Sequence, residues 1–440
     1  MTVRILLIGD LHLGRRPSRL PEGIGIRVEE LTPAAAFENA WKFAIAEGVD
    51  VVALAGDVVE NIEDRFEASA HLERGFKALL EKGVSVVAVA GNHDVQALPR
   101  LADLIEGFHL LGRDGSFEVL DVPARGGLVR FIGRSFRESH ERRNPLDLLE
   151  EEEVPRDDVP LIGLLHCDTT QGSAYAPIRL GDLDRGPAAR VDAWFLGHIH
   201  EPDPLAGPRP RGYLGSLTGM NPKESGRHGP WLAEVKAKGN VAVRQIPLAP
   251  IRYERLEVDV SEIEDGTLED VQDALASRFR RALEALAEDL AEELGDTRVL
   301  ACRAILEGRT GAHRHIDGIV RAWNRDREAM PLVHHAGATL FVEAIVDRSA
   351  SAMDLEALAR GDDPVGLCAR RILILEENGP AARSLVEAFE KQAEERLRST
   401  RLPVAPPDDT DAAACLLKAA YGLLERLLAQ QENDPAEVSS

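Results

Sequence analysis

Cysteine is scarce in this 440-residue chain: there are four, Cys167, Cys302, Cys368 and Cys415, and no two stand in a CxxC pair. Neither a disulfide framework nor a thiolate zinc knuckle can be built from them. Basic residues are outnumbered, 52 against 75 acidic, for a formal net charge of -23, with the acidic excess concentrated beyond residue 250. That balance excludes a protein that coats nucleic acid by bulk electrostatics, although it leaves room for a local basic site. No apolar run approaches the roughly 20 residues that a bilayer-spanning helix needs. The apolar stretch in "MTVRILLIGD" is too short, and too soon followed by Asp10, for a secretory signal. A cytoplasmic protein with reduced cysteines and no membrane association is expected.

The chain is 44% hydrophobic, enough for a large core divided over two or more domains. Residues 3–8, 49–54, 84–90, 161–165 and 193–196 are short aliphatic runs that read as strands buried on both faces. Helical patterns at 33–47 and 65–82 separate the first three, with Thr32 and Pro33 as a start signal. This alternation predicts a layered α/β domain. Further strands at 117–122, 127–132, 231–235 and 241–246 are assigned to a second sheet.

Beyond Pro250 the pattern changes to a smaller α+β unit, with strands at 253–260, 298–307 and 339–347 and a helix at 268–294. His313, His315, His334 and His335 lie there without carboxylate companions at ligand spacing, and read as structural or surface histidines. From about Glu376 the chain turns helical. "LPVAPPDDTD" at 402–411 reads as an extended linker. Leu416, Leu417, Tyr421, Leu423, Leu424, Leu427 and Leu428 then put an apolar stripe on a final helix. The expected domains are 1–250, 251–375 and 376–440. The stripe can dock on its own domain or receive a partner's helix.

The ends of the five buried strands read "GDLHLG" from Gly9, "GDVVE" from Gly56, "GNHD" from Gly91, "LLHCD" from Leu164 and "GHIH" from Gly197. Ligands bind beyond the carboxyl ends of strands in α/β sheets, so the five loops should converge. Asp10 as a helix cap, Asp57 as a turn residue or His166 as a core histidine would each be ordinary alone. Together Asp10, His12, Asp57, Asn92, His166, His198 and His200 offer carboxylate, amide and imidazole groups without thiolate, a set that suits Mn, Fe or Zn ions. Seven ligands are too many for one ion and fit two completed by water. In "DLH" and "HIH" the pairs stand at i and i+2, on the same side of an extended segment.

Two such ions can polarise a phosphoryl group and generate hydroxide near neutral pH. Asp57 is the preferred bridging carboxylate. His93 is then free of metal and placed to protonate the leaving oxygen or stabilise developing charge, with Asp94 expected to orient its ring. Arg15, Arg16 and Arg19 follow the first metal loop, and Arg134, Arg137, Arg142 and Arg143 form another cluster; at the mouth of the site they would hold a phosphate backbone.

Through these five motifs in order, residues 1–250 resemble the calcineurin-like metallophosphoesterases. "DLHLG" followed by a smaller α+β domain and a terminal helix resembles the SbcD-type DNA repair exonucleases and their YhaO-like bacterial relatives. That resemblance implies a layered α/β/β/α phosphoesterase domain, an α+β capping domain and C-terminal helices. It implies one ion held by Asp10, His12, Asp57 and His200, a second by Asp57, Asn92, His166 and His198, and His93 with Asp94 as the catalytic pair. It further implies a preference for Mn²⁺ with Fe²⁺ or Zn²⁺ as alternatives, and cleavage of DNA phosphodiesters by exonuclease or endonuclease action. The partner implied is an SMC-like (SbcC-type) ATPase gripped by the stripe on 412–430; a homodimer stays open. Two departures stand out: Gly9 replaces a Ser common among relatives, and Glu60 closes a motif that commonly ends in Asp.

Three rivals remain in view. A protein phosphatase of the same superfamily would read GDxxDRG, and "GDVVENI" does not. A hydrolase of cyclic nucleotides or other small phosphodiesters would share every metal ligand. An inert DNA-end-binding scaffold would not need a complete ligand set together with His93.

Overall fold

The computed structural model describes residues 2–60, 65–335, 337–399 and 412–433; the linker expected at 402–411 lies outside the described residues. The chain forms two compact units, one of Met1–Leu256, Phe279–Ala304 and Asp326–Ile345, the other of Glu257–Arg278, Ile305–Arg325 and Val346–Ser440.

The first unit is built on two stacked sheets. Strands β1 (Val3–Ile8), β2 (Val51–Leu54), β3 (Ser85–Ala88) and β4 (Phe108–Leu110) are joined in parallel, Ile8 beside Leu54 and Leu54 beside Ala88. The second sheet has the order β5 (Glu118–Ala124), β6 (Gly127–Arg134), β7 (Leu161–His166), β8 (Ala193–Gly197) and β9 (Arg211–Tyr213). Between the sheets, Ile5, Leu7, Val51 and Val87 of one pack against Phe131, Leu164 and Phe195 of the other. The opposite faces are covered too, which is why these strands are aliphatic throughout and do not alternate.

Leu6, Val52 and Val86 meet Phe37 and Phe76 from the helices α1 (Pro33–Ala46) and α2 (Arg65–Glu81). Thr32 caps α1 as its sequence predicts, its side chain accepting from the Ala35 amide at 3.4 Å. On the far side, Trp194 and Leu165 pack against Leu183, Ala188 and Leu149, carried by or next to the short 3-10 segments Pro145–Leu148, Leu180–Asp184 and Gly186–Arg190. Each large apolar side chain fully buried in these layers contributes about 1.5–3 kcal/mol.

Two expectations change here. Strands β10 (Trp231–Ala237) and β11 (Asn240–Gln245) do not join the second sheet; β10 pairs antiparallel with β1, Leu7 beside Trp231, and extends the first sheet. Burial of Val235 and Val241 between the sheets and the bond from Trp231 Nε1 to the Leu214 carbonyl, 2.9 Å, fix them there. The five strands with polar ends also divide three and two between the sheets. Their loops converge because the sheets are stacked, with no single open sheet gathering them.

After β11 a four-stranded sheet has the order Ile251–Asp259, Val299–Glu307, Ala338–Asp347 and Leu332–His335. The helix expected at 268–294 is two, Leu268–Asp289 and Ala291–Leu294. In the second unit helical structure begins earlier than Glu376, with Leu355–Leu358 and Pro364–Glu376, the latter capped by Asp363 on the Gly366 amide at 2.8 Å. Helix Ala412–Asn433 packs on it, burying Tyr421 and Leu424 beside Val365, Ala369 and Ile372. The Tyr421 hydroxyl donates to Glu376 at 2.6 Å and accepts from Arg309 at 2.5 Å. Part of the apolar stripe is therefore used within the chain, while Leu423 stays 48% exposed. Among the described residues, no helix is long and apolar enough to cross a membrane.

Candidate metal centre

The chain pays for this centre in backbone strain. Asp10, His12, Asp57 and His198 all have positive φ, at 29°, 48°, 47° and 107°, a region that side chains avoid and that clusters at functional sites. The strain is held by main-chain bonds between loops: the His12 amide donates to the Asp57 carbonyl and the Leu13 amide to the Val58 carbonyl, each 2.9 Å. Gly91 has to lack a side chain, because a Cβ there would lie 2.2 Å from Asp57 Oδ1. Gly9 is similar: its Cβ would come within 2.4 Å of the Gly215 carbonyl oxygen, so this chain has no room for the Ser common among relatives.

These constraints bring all seven candidate ligands together in two groups. Asp10, His12 and His200 offer ligand atoms within 4.8 Å of one another, and so do Asp57, His166 and His198. Asn92 joins the second group, its Oδ1 3.1 Å from His166 Nε2. Asp57 links the groups: its Oδ2 lies 3.5 Å from His166 Nε2, 3.8 Å from His12 Nε2 and 3.9 Å from His93 Nε2. A carboxylate oxygen set between the two groups in this way is able to serve ions in both.

Each imidazole is oriented from behind. Nδ1 of His12 meets Glu60 Oε2 at 2.6 Å, Nδ1 of His200 meets Glu224 Oε1 at 3.0 Å, and Nδ1 of His166 meets the Ala55 carbonyl at 3.0 Å. His198 Nε2 faces Asp168 Oδ2 at 3.5 Å. Such outer partners fix the tautomer and aim the other nitrogen at a metal. The motifs pointed to none of these roles for Glu60, Glu224 or Asp168. Glu60 was visible as a departure, whereas Glu224 stands 24 positions beyond His200 and carries no spacing signal.

The donors fit divalent ions. Asp10 is wholly buried; its Oδ1 accepts from the His198 amide at 2.8 Å, but Oδ2 has no hydrogen-bond partner. Burial pushes its carboxyl up to about 7, against the pull of His166 and His200. A buried carboxylate with an orphaned oxygen facing two imidazoles calls for a cation. Burial likewise pushes the Asp57 carboxyl up, but His166, His12 and His93 together outweigh it and hold the group below the ordinary range. Burial lowers His198 to about 4, keeping its imidazole neutral as a ligand must be.

His93 is 36% exposed, its ring edge-on to that of His12 with the ring centroids 5.3 Å apart. Its amide donates to Asp57 Oδ1 at 3.1 Å, and its Nδ1 lies 2.6 Å from the Glu60 carbonyl oxygen. The expectation that Asp94 orients this ring is corrected. Asp94 is buried, with both oxygens taken by main-chain amides: Val58 and Val59 at 2.9 Å to Oδ1, Gly91 at 3.0 Å to Oδ2. It shapes the loop and does not touch the ring, a task that falls to Glu60.

The arginines divide as well. Arg15 sits beside the centre, Nε 3.4 Å from Glu60 Oε1, and Arg16 and Arg137 are exposed. Arg134 does not face a substrate; it is buried, donating to Glu141 Oε2 at 2.7 Å and to the Gly115 carbonyl at 2.8 Å. Arg19 is paired with the fully buried Glu343 at 3.2 Å.

Residues 3–202 match the calcineurin-like phosphoesterase family. The chain is also 29% identical over 268 residues to the uncharacterized metallophosphoesterase YhaO of Bacillus subtilis (strain 168), covering 59% of this chain and 63% of that protein. Both likenesses are to metallophosphoesterases, the first over residues 3–202; the chain spans less than two thirds of that relative's length. Among solved structures, it is similar to a putative 5'-nucleotidase from Staphylococcus aureus (12% identity, 56% of this chain, 53% of that one, TM-score 0.37). It is also similar to a dimetal phosphatase from Danio rerio (15% identity, 55% and 98%, TM-score 0.33). At these scores neither overlay bears on activity. The phosphoesterase match ends just beyond His200, so it takes in all seven candidate ligands and His93 but not Glu224.

Proposed function

We propose that this chain is a two-metal phosphodiesterase acting on DNA, as exonuclease or endonuclease, in DNA repair. The observation that carries the reading is Asp57 Oδ2, set 3.5 to 3.9 Å from the Nε2 atoms of His166, His12 and His93 with a ligand group on either side. Asp10, His12, Asp57 and His200 would hold one ion and Asp57, Asn92, His166 and His198 the other, with Mn²⁺ the proposed metal and Fe²⁺ or Zn²⁺ alternatives. Ions there would polarise the phosphoryl group and provide hydroxide near neutral pH.

The chain's own groups do the rest. A carbonyl can only accept, so Nδ1 of His93 carries the proton in its bond to Glu60. Nε2 is thus the atom that holds and delivers a proton to the leaving oxygen. Arg15 and Arg16 flank the centre and would contact the phosphates next to the scissile one. Leu423 and Leu416, on the same apolar groove as Leu367, would be the surface offered to an SMC-like ATPase.

A second reading is favoured by one observation. Arg134 and Arg19 are engaged by Glu141 and Glu343, which leaves fewer cations for a long backbone and suits a small phosphodiester. The deciding experiment gives purified protein and Mn²⁺ both linear labelled DNA and bis-p-nitrophenyl phosphate, with and without EDTA. Chelator-sensitive DNA cleavage supports the nuclease reading. Brisk hydrolysis of the small diester with DNA left intact supports the second, and DNA binding without hydrolysis of either compound would make the chain a scaffold.

A further inference from the structure

The two ligand groups differ in what stands behind them. His12 and His200 have their Nε2 atoms 3.0 Å apart, and each has a carboxylate on its Nδ1: Glu60 at 2.6 Å and Glu224 at 3.0 Å. Glu224 is firmly held, being 9% exposed, with Oε1 accepting from Asn221 at 2.6 Å and Oε2 from the Met220 amide at 3.0 Å. A carboxylate on Nδ1 favours the proton there and leaves each Nε2 to face an ion held with Asp10. At 3.0 Å the two nitrogens need a shared proton or a metal ion between them.

The other group is weaker on each count. His166 rests on a neutral acceptor, the Ala55 carbonyl, and Asn92 is a neutral donor. Behind it Asp168 stands 3.5 Å from His198. Asp57 serves both groups. Asp10 also faces the second group, through the His198 amide and His166. Glu60 and Glu224 add their negative charge behind the first group, where low dielectric makes it count. Arg15 offsets part of the charge on Glu60, from a side chain 35% exposed.

We propose that the two ion positions are unequal: Glu60 and Glu224 are positioning residues that make the Asp10, His12 and His200 position the tighter and first filled. The proposal rests on the two-metal reading above. Removing an outer-shell partner of a ligand costs roughly 10–100-fold in metal affinity, and that sets the size of the effect.

The test is a Mn²⁺ titration of EDTA-stripped full-length protein, followed by calorimetry and by the Mn²⁺ paramagnetic resonance signal. Two affinity classes are expected, with the spin-coupled signal rising only past one equivalent. E60Q and E224Q should each weaken the tight class by about 10–100-fold and spare the weak one, while D168N should act on the weak class alone. E60D and E224D keep a carboxylate and should recover part of the loss, which separates positioning from damage to the fold. Equal affinities in the wild type, or E60Q and E224Q lowering both classes together, would overturn the proposal and leave the two-metal reading standing. A wild type that binds no Mn²⁺ would sink both.

Discussion

Nδ1 of His93 lies 2.6 Å from the carbonyl oxygen of Glu60, so the ring is anchored by main chain while its Nε2 faces Asp57 Oδ2 at 3.9 Å. On the proposed reading a ring held this way serves the chemistry and not the metals, although His12, Glu60 and His93 also bring ligand atoms within 4.8 Å of one another. Its removal should therefore separate chemistry from metal binding. His93→Ala is expected to lower hydrolysis of bis-p-nitrophenyl phosphate by about 10²–10⁴-fold with Mn²⁺ content unchanged. Parallel loss of metal and activity would assign His93 a ligand role.

Asp94 is predicted to matter for stability. Asp94→Ala would leave the buried amides of Val58, Val59 and Gly91 without acceptors, at about 1–3 kcal/mol for each unsatisfied group. Urea unfolding of the metal-free protein should show a loss of about 3 kcal/mol or more. A loss well under about 1 kcal/mol would mean that water replaces those bonds.

The arginines test the DNA reading. Arg16→Ala should weaken binding to linear DNA and reduce the slope of log affinity against log salt by about 1, since Arg16 is exposed beside the first metal loop. Arg134→Ala should instead destabilise the fold by about 1–3 kcal/mol, since it takes the guanidinium from Glu141 and from the Gly115 carbonyl and leaves Glu141 only the Arg137 amide. Unchanged DNA binding after removal of both Arg15 and Arg16 would favour a small substrate.

The strands and the clustering of the seven candidate ligands were legible because burial on both faces and a polar loop leave local marks: an aliphatic run, then Gly and Asp or His. What escaped was non-local. Glu224 reaches His200 from another loop, Asp94 turned inward to the amides of the Val58 loop, and Arg134 met Glu141. The placement of β10 beside β1 was hidden for the same reason. A strand's hydrophobic pattern says that it is covered, while its partner is decided by tertiary packing.

The central claim is a pair of ions bridged by Asp57, and anomalous diffraction from crystals equilibrated with Mn²⁺ tests it most directly. The account predicts two peaks roughly 3.5–4 Å apart, one by Asp10, His12 and His200, the other by Asn92, His166 and His198, with Asp57 between them. A single peak, or ions bound away from Asp57, would contradict it.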